Sequence, residues 1–293
     1  MNVTTADVQR IVDRYLHAGA SASIVLMELV QLTEDPEAIA RALPTLAGEP
    51  ERLRTLAQHL AENEDGCRTI VRMLRQRLDS PEVAADAHDG IERCRILFDA
   101  SVAQSEESSV ALYSLGSPEL LAAATDELIG VLDDWGVLGL DRDALEIGCG
   151  IGRLMVPLCS RVRSVVGTDV SAGMVAAATR RLAVCSNASV QMTPGQDLSA
   201  FRSASMDLVY SVDAFPYLVL SGYALVERHF REVRRVLRPA GDFVLFNYAY
   251  GRLRDDANKE VLELAHGAGL QVQRADESPF RIWNGIGWQM RRG

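Results

Sequence analysis

Three glycines at alternate positions, Gly148, Gly150 and Gly152, follow the apolar residues 144–147 and precede a stretch with helical spacing that begins near Leu154. Glycine adopts backbone dihedrals that other residues avoid, and it lets the backbone approach a bound molecule closely. A glycine-rich turn between a strand and a helix is therefore a candidate binding loop. Its ligand would lie at the carboxyl end of the strand.

The spacing of these glycines discriminates between cofactors. A nicotinamide fingerprint requires G-x-G-x-x-G, but the third position is Arg153 counted from Gly148 and Met155 counted from Gly150. A P-loop requires Gly-Lys followed by Ser or Thr, which the loop lacks. A second apolar run ends in Asp169, about twenty residues on, where a carboxylate can accept both hydroxyls of a ribose. We therefore predict a ribose-bearing ligand.

The pattern of the chain changes near residue 140. Beyond it, short apolar runs alternate with helical stretches, which predicts a parallel sheet with right-handed crossovers. Two last runs, residues 271–274 and 287–291, follow one another without a helix, so we expect them to pair antiparallel at an edge. The other predicted strands are residues 144–147, 164–168, 190–192, 208–212 and 243–248.

Before residue 140 the chain has the pattern of successive helices. Residues suited to helix caps precede the apolar stripes, and residues 103–109 are polar enough to predict a linker. We predict an α/β fold: an all-helical N-terminal domain, residues 1–105, and a domain of residues 106–293 with a Rossmann-like, mostly parallel seven-stranded sheet. The predicted caps are Thr4 or Thr5, Asp35, Ser80 and Ser117.

Taken together, these motifs resemble those of class I S-adenosylmethionine-dependent methyltransferases. The loop reads E-x-G-x-G-x-G from Glu146 to Gly152, and an acid, Asp169, ends the next strand. Further on, the turn Arg238-Pro239-Ala240-Gly241 lies between a helix and a strand, similar to the family's L-[RK]-P-G-G turn. The resemblance covers roughly residues 110–293 and implies S-adenosylmethionine as the cofactor.

The resemblance also implies roles for individual residues. Glu146 would orient the methionine amino end or the loop backbone, Gly148 and Gly150 would give the backbone approach, and Asp169 would bind the ribose. The adenine amino group would meet one of Gly195, Gln196 and Asp197, a choice the sequence leaves open. The remaining implied cofactor contacts are Val170 and Met174 on the adenine side, Ser211 at the end of strand four, and Tyr113 near the methionine carboxylate.

The reacting group should lie just after strand four. A methyl group on a sulfonium is already activated, so the enzyme mainly excludes water and aligns the nucleophile. It needs a base only if the nucleophile carries a proton at neutral pH. We predict Asp213, Tyr217 and Tyr248 as catalytic candidates; packing is the alternative interpretation for the two tyrosines. His229 is also within reach, but its position is typical of a helix surface.

Composition limits the partners. The 293-residue chain has a formal net charge of −10, and it lacks the Asn-Pro-Pro-Tyr motif of base methylation, so we expect a small-molecule substrate and no nucleic acid. No apolar run reaches the roughly 18 residues that span a membrane. The N-terminus lacks a basic, then apolar, leader, so we expect a cytoplasmic protein. The five cysteines have no CxxC spacing, which indicates neither a disulfide framework nor a metal site.

Three functions are compatible with these features. The first is methyl transfer to a small molecule, in specialised metabolism, because the N-terminal helices resemble no common macromolecule-binding module. The second is cyclisation of the cofactor, as in azetidine-2-carboxylate synthases, with release of methylthioadenosine. The third is a non-catalytic role as a cofactor-binding or assembly protein. The N-terminal helices would form a lid, a substrate-selecting cap or the interface of a homodimer.

Overall fold

The computed structural model describes residues 4–76 and 84–293, which divide into two compact units. The helical unit contains residues 4–76, Ala100–Glu127 and Phe280–Asn284. The sheet unit contains, of the described residues, 84–99, Leu128–Pro279 and Gly285–Gly293.

Three helices of the first half begin at residues that cap them, as predicted for Thr4 and Asp35. Thr4 forms a capping box with Asp7, and Ser21 and Asp35 each accept a hydrogen bond from a backbone N–H of the first turn. The apolar stripes of these helices pack into one core that contains Val12, Leu29 and Leu56. The helices are α1 (Thr5–His17), α2 (Ala22–Thr33), α3 (Pro36–Ala42), α4 (Pro50–Glu62), α5 (Glu64–Gln76), α6 (Ala87–Val102), α7 (Glu106–Val110) and α8 (Pro118–Asp134).

The structure differs from two expectations for this half, and a third lies outside the described residues. The compact units do not divide at residue 105: α6, up to Asp99, packs with the sheet unit, while Ala100–Glu127 packs with the helices. The predicted linker contains α7, which Ser105 caps by accepting a hydrogen bond from the backbone N–H of Ser108 at 3.1 Å. The predicted cap Ser80 lies outside the described residues.

The second half folds into a seven-stranded sheet with the order β3-β2-β1-β4-β5-β7-β6. Strands β1 to β5 run parallel, and β7 pairs antiparallel with both β5 and β6. The strands are β1 (Gly139–Ile147), β2 (Val162–Asp169), β3 (Ala188–Met192), β4 (Met206–Val212), β5 (Leu237–Phe246), β6 (Leu270–Glu277) and β7 (Gly287–Arg292). The predicted fold class and the antiparallel final pair are confirmed.

Five helices accompany these strands: α9 (Met155–Leu158), α10 (Ala172–Arg181), α11 (Phe215–Leu220), α12 (Tyr223–Val236) and α13 (Arg254–Ala268). The apolar faces of β4, β5, α12 and α13 share one core, which includes Phe215, Phe230 and Trp288. Since the parallel strands all end at the same edge, the residues that follow β1, β2, β4 and β5 come together there.

The cysteine spacing indicated no disulfide framework, but the structure contains a disulfide. Cys159 and Cys185 are joined in a disulfide 26 residues apart in sequence, and a pair so widely spaced has no CxxC-like signature to reveal it. In the described part of the chain, no helix combines the length and the apolar character that crossing a membrane requires.

A buried carboxylate on β5 holds the opposite, amino-terminal edge of the sheet. Asp242 has no exposed surface. Its carboxylate accepts hydrogen bonds from Arg142 at 3.0 Å, from Arg291 at 2.9 Å and from Gln289 at 3.1 Å. Arg142 belongs to β1, whereas Arg291 and Gln289 belong to β7, so this one side chain links three strands.

Replacing Asp242 with Asn should therefore destabilise the fold. We expect the free energy of unfolding to fall by about 3 kcal/mol, the lower end for a broken buried ion pair, because both arginines are partly exposed. Urea unfolding measures this change. Glu263→Gln, which breaks the exposed pair with Lys259, is the control and should change stability by less than about 0.5 kcal/mol. Equal effects of the two substitutions would contradict the role of Asp242.

Candidate functional site

The glycine loop packs closely against two neighbouring segments. Gly148, Gly150 and Gly152 all have positive φ angles, +71°, +52° and +73°. A Cβ on Gly148 would lie 2.3 Å from the Cβ of Ala214, and a Cβ on Gly152 would lie 3.2 Å from that of Ala178. The loop therefore packs against the residues after β4 and against α10, in a conformation and a space that both favour glycine.

Asp169, at the end of β2, binds this loop directly. Its Oδ2 accepts a hydrogen bond from the backbone N–H of Gly150 at 2.9 Å, and its Oδ1 accepts one from Ser171 N–H at 2.9 Å. Burial raises the pKa of Asp169, and these two N–H bonds oppose that rise. Each carboxylate oxygen can accept a further hydrogen bond, so the group can also bind a pair of hydroxyls.

Glu146 lies at the end of β1 beneath the loop. It is 2% exposed, and Tyr210 of β4 donates a hydrogen bond to its Oε2 at 2.8 Å. Burial raises the pKa of Glu146 to about 8, while the Tyr210 bond lowers it. Two hydroxyls bind the end of β1 from either side: Ser211 donates to the carbonyl of Ile147 at 3.0 Å, and Thr168 donates to that of Glu146 at 3.2 Å.

The residues after β4 and β5 form a polar cluster. Asp213 accepts hydrogen bonds at Oδ1 from Asn247 Nδ2 at 2.7 Å and from the Tyr250 hydroxyl at 2.8 Å. The ring of Tyr217 lies edge-on to Tyr250, with 6.1 Å between centroids. Asp213 is partly buried; burial raises its pKa, and the bonds from Asn247 and Tyr250 lower it.

Three of the residues considered from the sequence, Ser211, Tyr248 and His229, are buried. Ser211 is fully buried and uses its hydroxyl within the sheet. Tyr248 is 1% exposed and belongs to the apolar core, a placement that favours packing over catalysis. His229 is 2% exposed rather than on the surface as expected; its Nδ1 lies 2.8 Å from the carbonyl oxygen of Leu225.

The remaining predicted cofactor residues divide between the two units. Met174 is buried on α10, and its N–H donates to Ser171 Oγ. Tyr113 is buried in the helical unit, where its ring lies 6.1 Å from that of Trp283. These contacts stay predictions as far as the cofactor is concerned.

The three adenine candidates that follow β3, Gly195, Gln196 and Asp197, differ in their exposure and contacts. Gly195 is buried, and a Cβ there would lie 2.7 Å from Val170 Cγ1. Gln196 is exposed, and Asp197 accepts a hydrogen bond from Ser199 N–H at 3.0 Å. Gly195 is therefore enclosed by protein, and which of the three residues would meet the adenine amino group stays a prediction.

Sequence reasoning missed the contribution of α6. Asp99 Oδ1 accepts hydrogen bonds from the Ser171 hydroxyl at 2.6 Å and from Gly173 N–H at 2.9 Å, at the start of α10. Ile91 meets the same Gly195 that packs on Val170, and the Phe98 ring lies 4.8 Å from that of Tyr217. Helix α6 thus contacts the segments that follow β2, β3 and β4. Its sequence pattern matches that of the preceding helices and carries no sign of this.

Comparison with known proteins agrees with this geometry. Residues 145–245 match the family described as Methyltransferase domain. Over 113 residues the chain is 30% identical to a probable S-adenosylmethionine-dependent methyltransferase of Saccharomyces cerevisiae, covering 38% of this chain and 37% of the yeast protein. Over 123 residues it is 36% identical to an uncharacterized methyltransferase of Schizosaccharomyces pombe, covering 40% of this chain and 44% of that protein. The matches thus span less than half the length of these curated relatives.

A solved structure shows the same fold. It is phosphoethanolamine N-methyltransferase 1 of Haemonchus contortus with phosphoethanolamine and S-adenosylhomocysteine, which matches with a TM-score of 0.59 at 19% identity over 70% of this chain and 49% of that chain. The chain thus contains a region, residues 145–245, that matches a methyltransferase domain, and it shares the fold of a solved methyltransferase. Its cofactor is S-adenosylmethionine, as the resemblance implied.

The residues of the methyltransferase domain fit this cofactor. Asp169 has acceptor capacity for the two ribose hydroxyls, and Glu146 supplies a carboxyl group near the loop, where a cationic amino end would be stabilised. Gly148 has no room for a side chain, so the backbone itself lines the loop. When bound, the cofactor supplies a methyl group activated on a sulfonium.

Replacing Asp169 with Asn should weaken cofactor binding. We expect the affinity for S-adenosylmethionine to fall by about 1–3 kcal/mol, because charge-assisted hydrogen bonds to the ribose are lost. Isothermal titration calorimetry measures the affinity of both proteins for S-adenosylmethionine. Asp207→Asn is the matched control, because Asp207 begins β4 at the opposite edge, where it accepts a bond from Asp143 N–H at 2.8 Å. Unchanged affinity in the Asp169 variant would rule out the ribose contact.

The raised pKa of Glu146 predicts a pH dependence of stability. Between its ordinary value of 4.5 and about 8, the folded ligand-free protein holds a proton that the unfolded chain has lost. The free energy of unfolding should therefore fall across this window by up to about 1.4 kcal/mol per pH unit. Glu146→Gln should lack this contribution, which urea unfolding at pH 5, 6.5 and 8 would show. A constant difference between the two proteins at all three pH values contradicts the raised pKa.

Proposed function

We propose that the protein transfers a methyl group from S-adenosylmethionine to a small molecule of specialised metabolism. The observation that carries the proposal is the position of Asp213. It immediately precedes Ala214, which packs on Gly148 of the cofactor loop, so its carboxylate lies one residue from the loop contact. A carboxylate there can bind and orient the acceptor.

The acidic character of the site supports a small acceptor over nucleic acid. Asp169 and Asp213 lie at the carboxyl edge of the sheet, and the whole chain has a net charge of −10. A polyphosphate chain would be repelled by such a field. A homodimer through the N-terminal helices and a cytoplasmic location remain predictions.

Product analysis tests the proposal. The full-length protein is incubated with S-adenosylmethionine, alone and with a small-molecule extract, and the products are identified by mass spectrometry. We expect S-adenosylhomocysteine and a methylated compound only when the extract is present. Heat-inactivated protein is the control.

Two other outcomes would contradict methyl transfer. Methylthioadenosine formed without extract would indicate cyclisation of the cofactor. Cofactor binding without any turnover would indicate a non-catalytic role.

A further inference from the structure

Two neighbouring strands end in the same unusual way. Asp213 after β4 has a φ angle of +59°, and Asn247 after β5 has one of +61°. Their backbone N–H groups donate hydrogen bonds to the carbonyls of Phe246 and Ile286, at 3.0 and 2.8 Å. Asp and Asn enter this left-handed region more readily than other non-glycine residues, and such backbone concentrates at functional sites. Glycine would fit both positions at less cost, and in this chain both positions carry side chains that bond to each other.

The amide of Asn247 can point in one direction only. Its Oδ1 accepts a hydrogen bond from the backbone N–H of Ile286 at 3.1 Å, and a backbone N–H cannot accept. The amino group of the same amide therefore faces Asp213, to which it donates at 2.7 Å. Asn247 is thus a fixed donor to the carboxylate.

The carboxylate of Asp213 is consequently polarised between its two oxygens. Oδ1 accepts the bonds from Asn247 and from the Tyr250 hydroxyl. Among residues 4–76 and 84–293, none forms a hydrogen bond with Oδ2. A proton taken up by Asp213 therefore belongs on Oδ2, because the Asn247 amino group on the side of Oδ1 can only donate.

We infer that Asp213 Oδ2 accepts a proton from a primary or secondary aliphatic amine substrate, and that Asn247 and Tyr250 are positioning residues that aim this oxygen. The inference rests on the proposed function. In the balanced step, the bound ammonium gives one proton to Oδ2, and its nitrogen lone pair forms the new bond to the methyl carbon. The bond from sulfur to that carbon breaks, its electron pair stays on sulfur as a neutral thioether, and the methylated nitrogen keeps the positive charge.

The electrostatics favour an amine over an alcohol. Among charged or titratable groups, Arg153 and Tyr250 act on the Asp213 carboxylate and lower its pKa, which favours the charged carboxylate that an ammonium would pair with. Desolvation lowers the pKa of an ammonium and raises that of a carboxyl group, which brings the two together. Burial already raises the pKa of Asp213. An alcohol is far too weak an acid to pass its proton to a carboxylate.

Acetylating the amines of an extract before the reaction tests whether the substrate is an amine. The full-length protein, S-adenosylmethionine with a labelled methyl group and a small-molecule extract are combined, with and without prior acetylation of the amines by an N-hydroxysuccinimide ester. We expect labelled methylamines from the untreated extract and their loss after acetylation. Labelled products that survive acetylation would overturn the amine class while leaving methyl transfer intact. An untreated extract that yields no labelled product would overturn the proposed function itself.

The positioning residues are tested with the amine that the first experiment identifies. Tyr250→Phe removes one donor from Asp213, and Asn247→Gly removes the other while keeping the left-handed backbone. Either change should raise the pKa of Asp213, so the rise of kcat with pH should move to higher pH. Tyr223→Phe, whose ring is 53% exposed on α12, is the control for losing a tyrosine hydroxyl and should not shift the profile. Identical profiles for Tyr250→Phe and Tyr223→Phe would refute positioning by Tyr250.

A binding measurement separates this role from a structural one. With S-adenosylhomocysteine present, Asp213→Asn should bind the identified amine at least tenfold more weakly by calorimetry, yet keep its affinity for S-adenosylmethionine. Asparagine suits the same left-handed backbone, so the loop should persist. Equal amine affinity in the variant would contradict the assignment of Asp213.

Discussion

The hydrogen bond from Gly150 N–H to the Asp169 carboxylate is the interaction on which the site depends. A buried carboxylate must be satisfied by donors, and here the donors are the loop after β1 and the first turn after β2. The loop can supply its donor only by adopting positive φ angles at Gly148, Gly150 and Gly152. Contacts within the protein therefore define the shape of the cofactor loop.

The rest of the carboxyl edge is held by similar polar contacts. Ser211 and Thr168 bind carbonyls at the end of β1, and Tyr210 binds Glu146. Because these contacts lock neighbouring strand ends together, little reorganisation is required when charge moves during a reaction. The reactive groups then come from the residues just beyond the locked ends, above all Asp213.

The elements with strong periodicity were predictable, whereas the contacts between them were not. The alternating apolar runs were sufficient to predict the sheet, and the glycine spacing was sufficient to predict the loop. The contacts of helix α6 with the sheet unit were not predictable, because an amphipathic stripe shows that a helix packs but not on what. The bonds of Asp99 to Ser171 and Gly173, and the burial of His229, likewise depend on tertiary placement that no local pattern encodes.

Tyr248 and Tyr250 show why the chemistry could not be settled from the sequence. Two residues apart after one strand, they are equivalent candidates by spacing alone. The left-handed turn at Asn247 breaks the strand geometry, so one ring enters the core with 1% exposure, while the other remains 53% exposed and binds Asp213. A left-handed asparagine is a weak sequence signal, since most asparagines are not left-handed. The turn that places Tyr250 rather than Tyr248 beside Asp213 is therefore visible only in the folded chain.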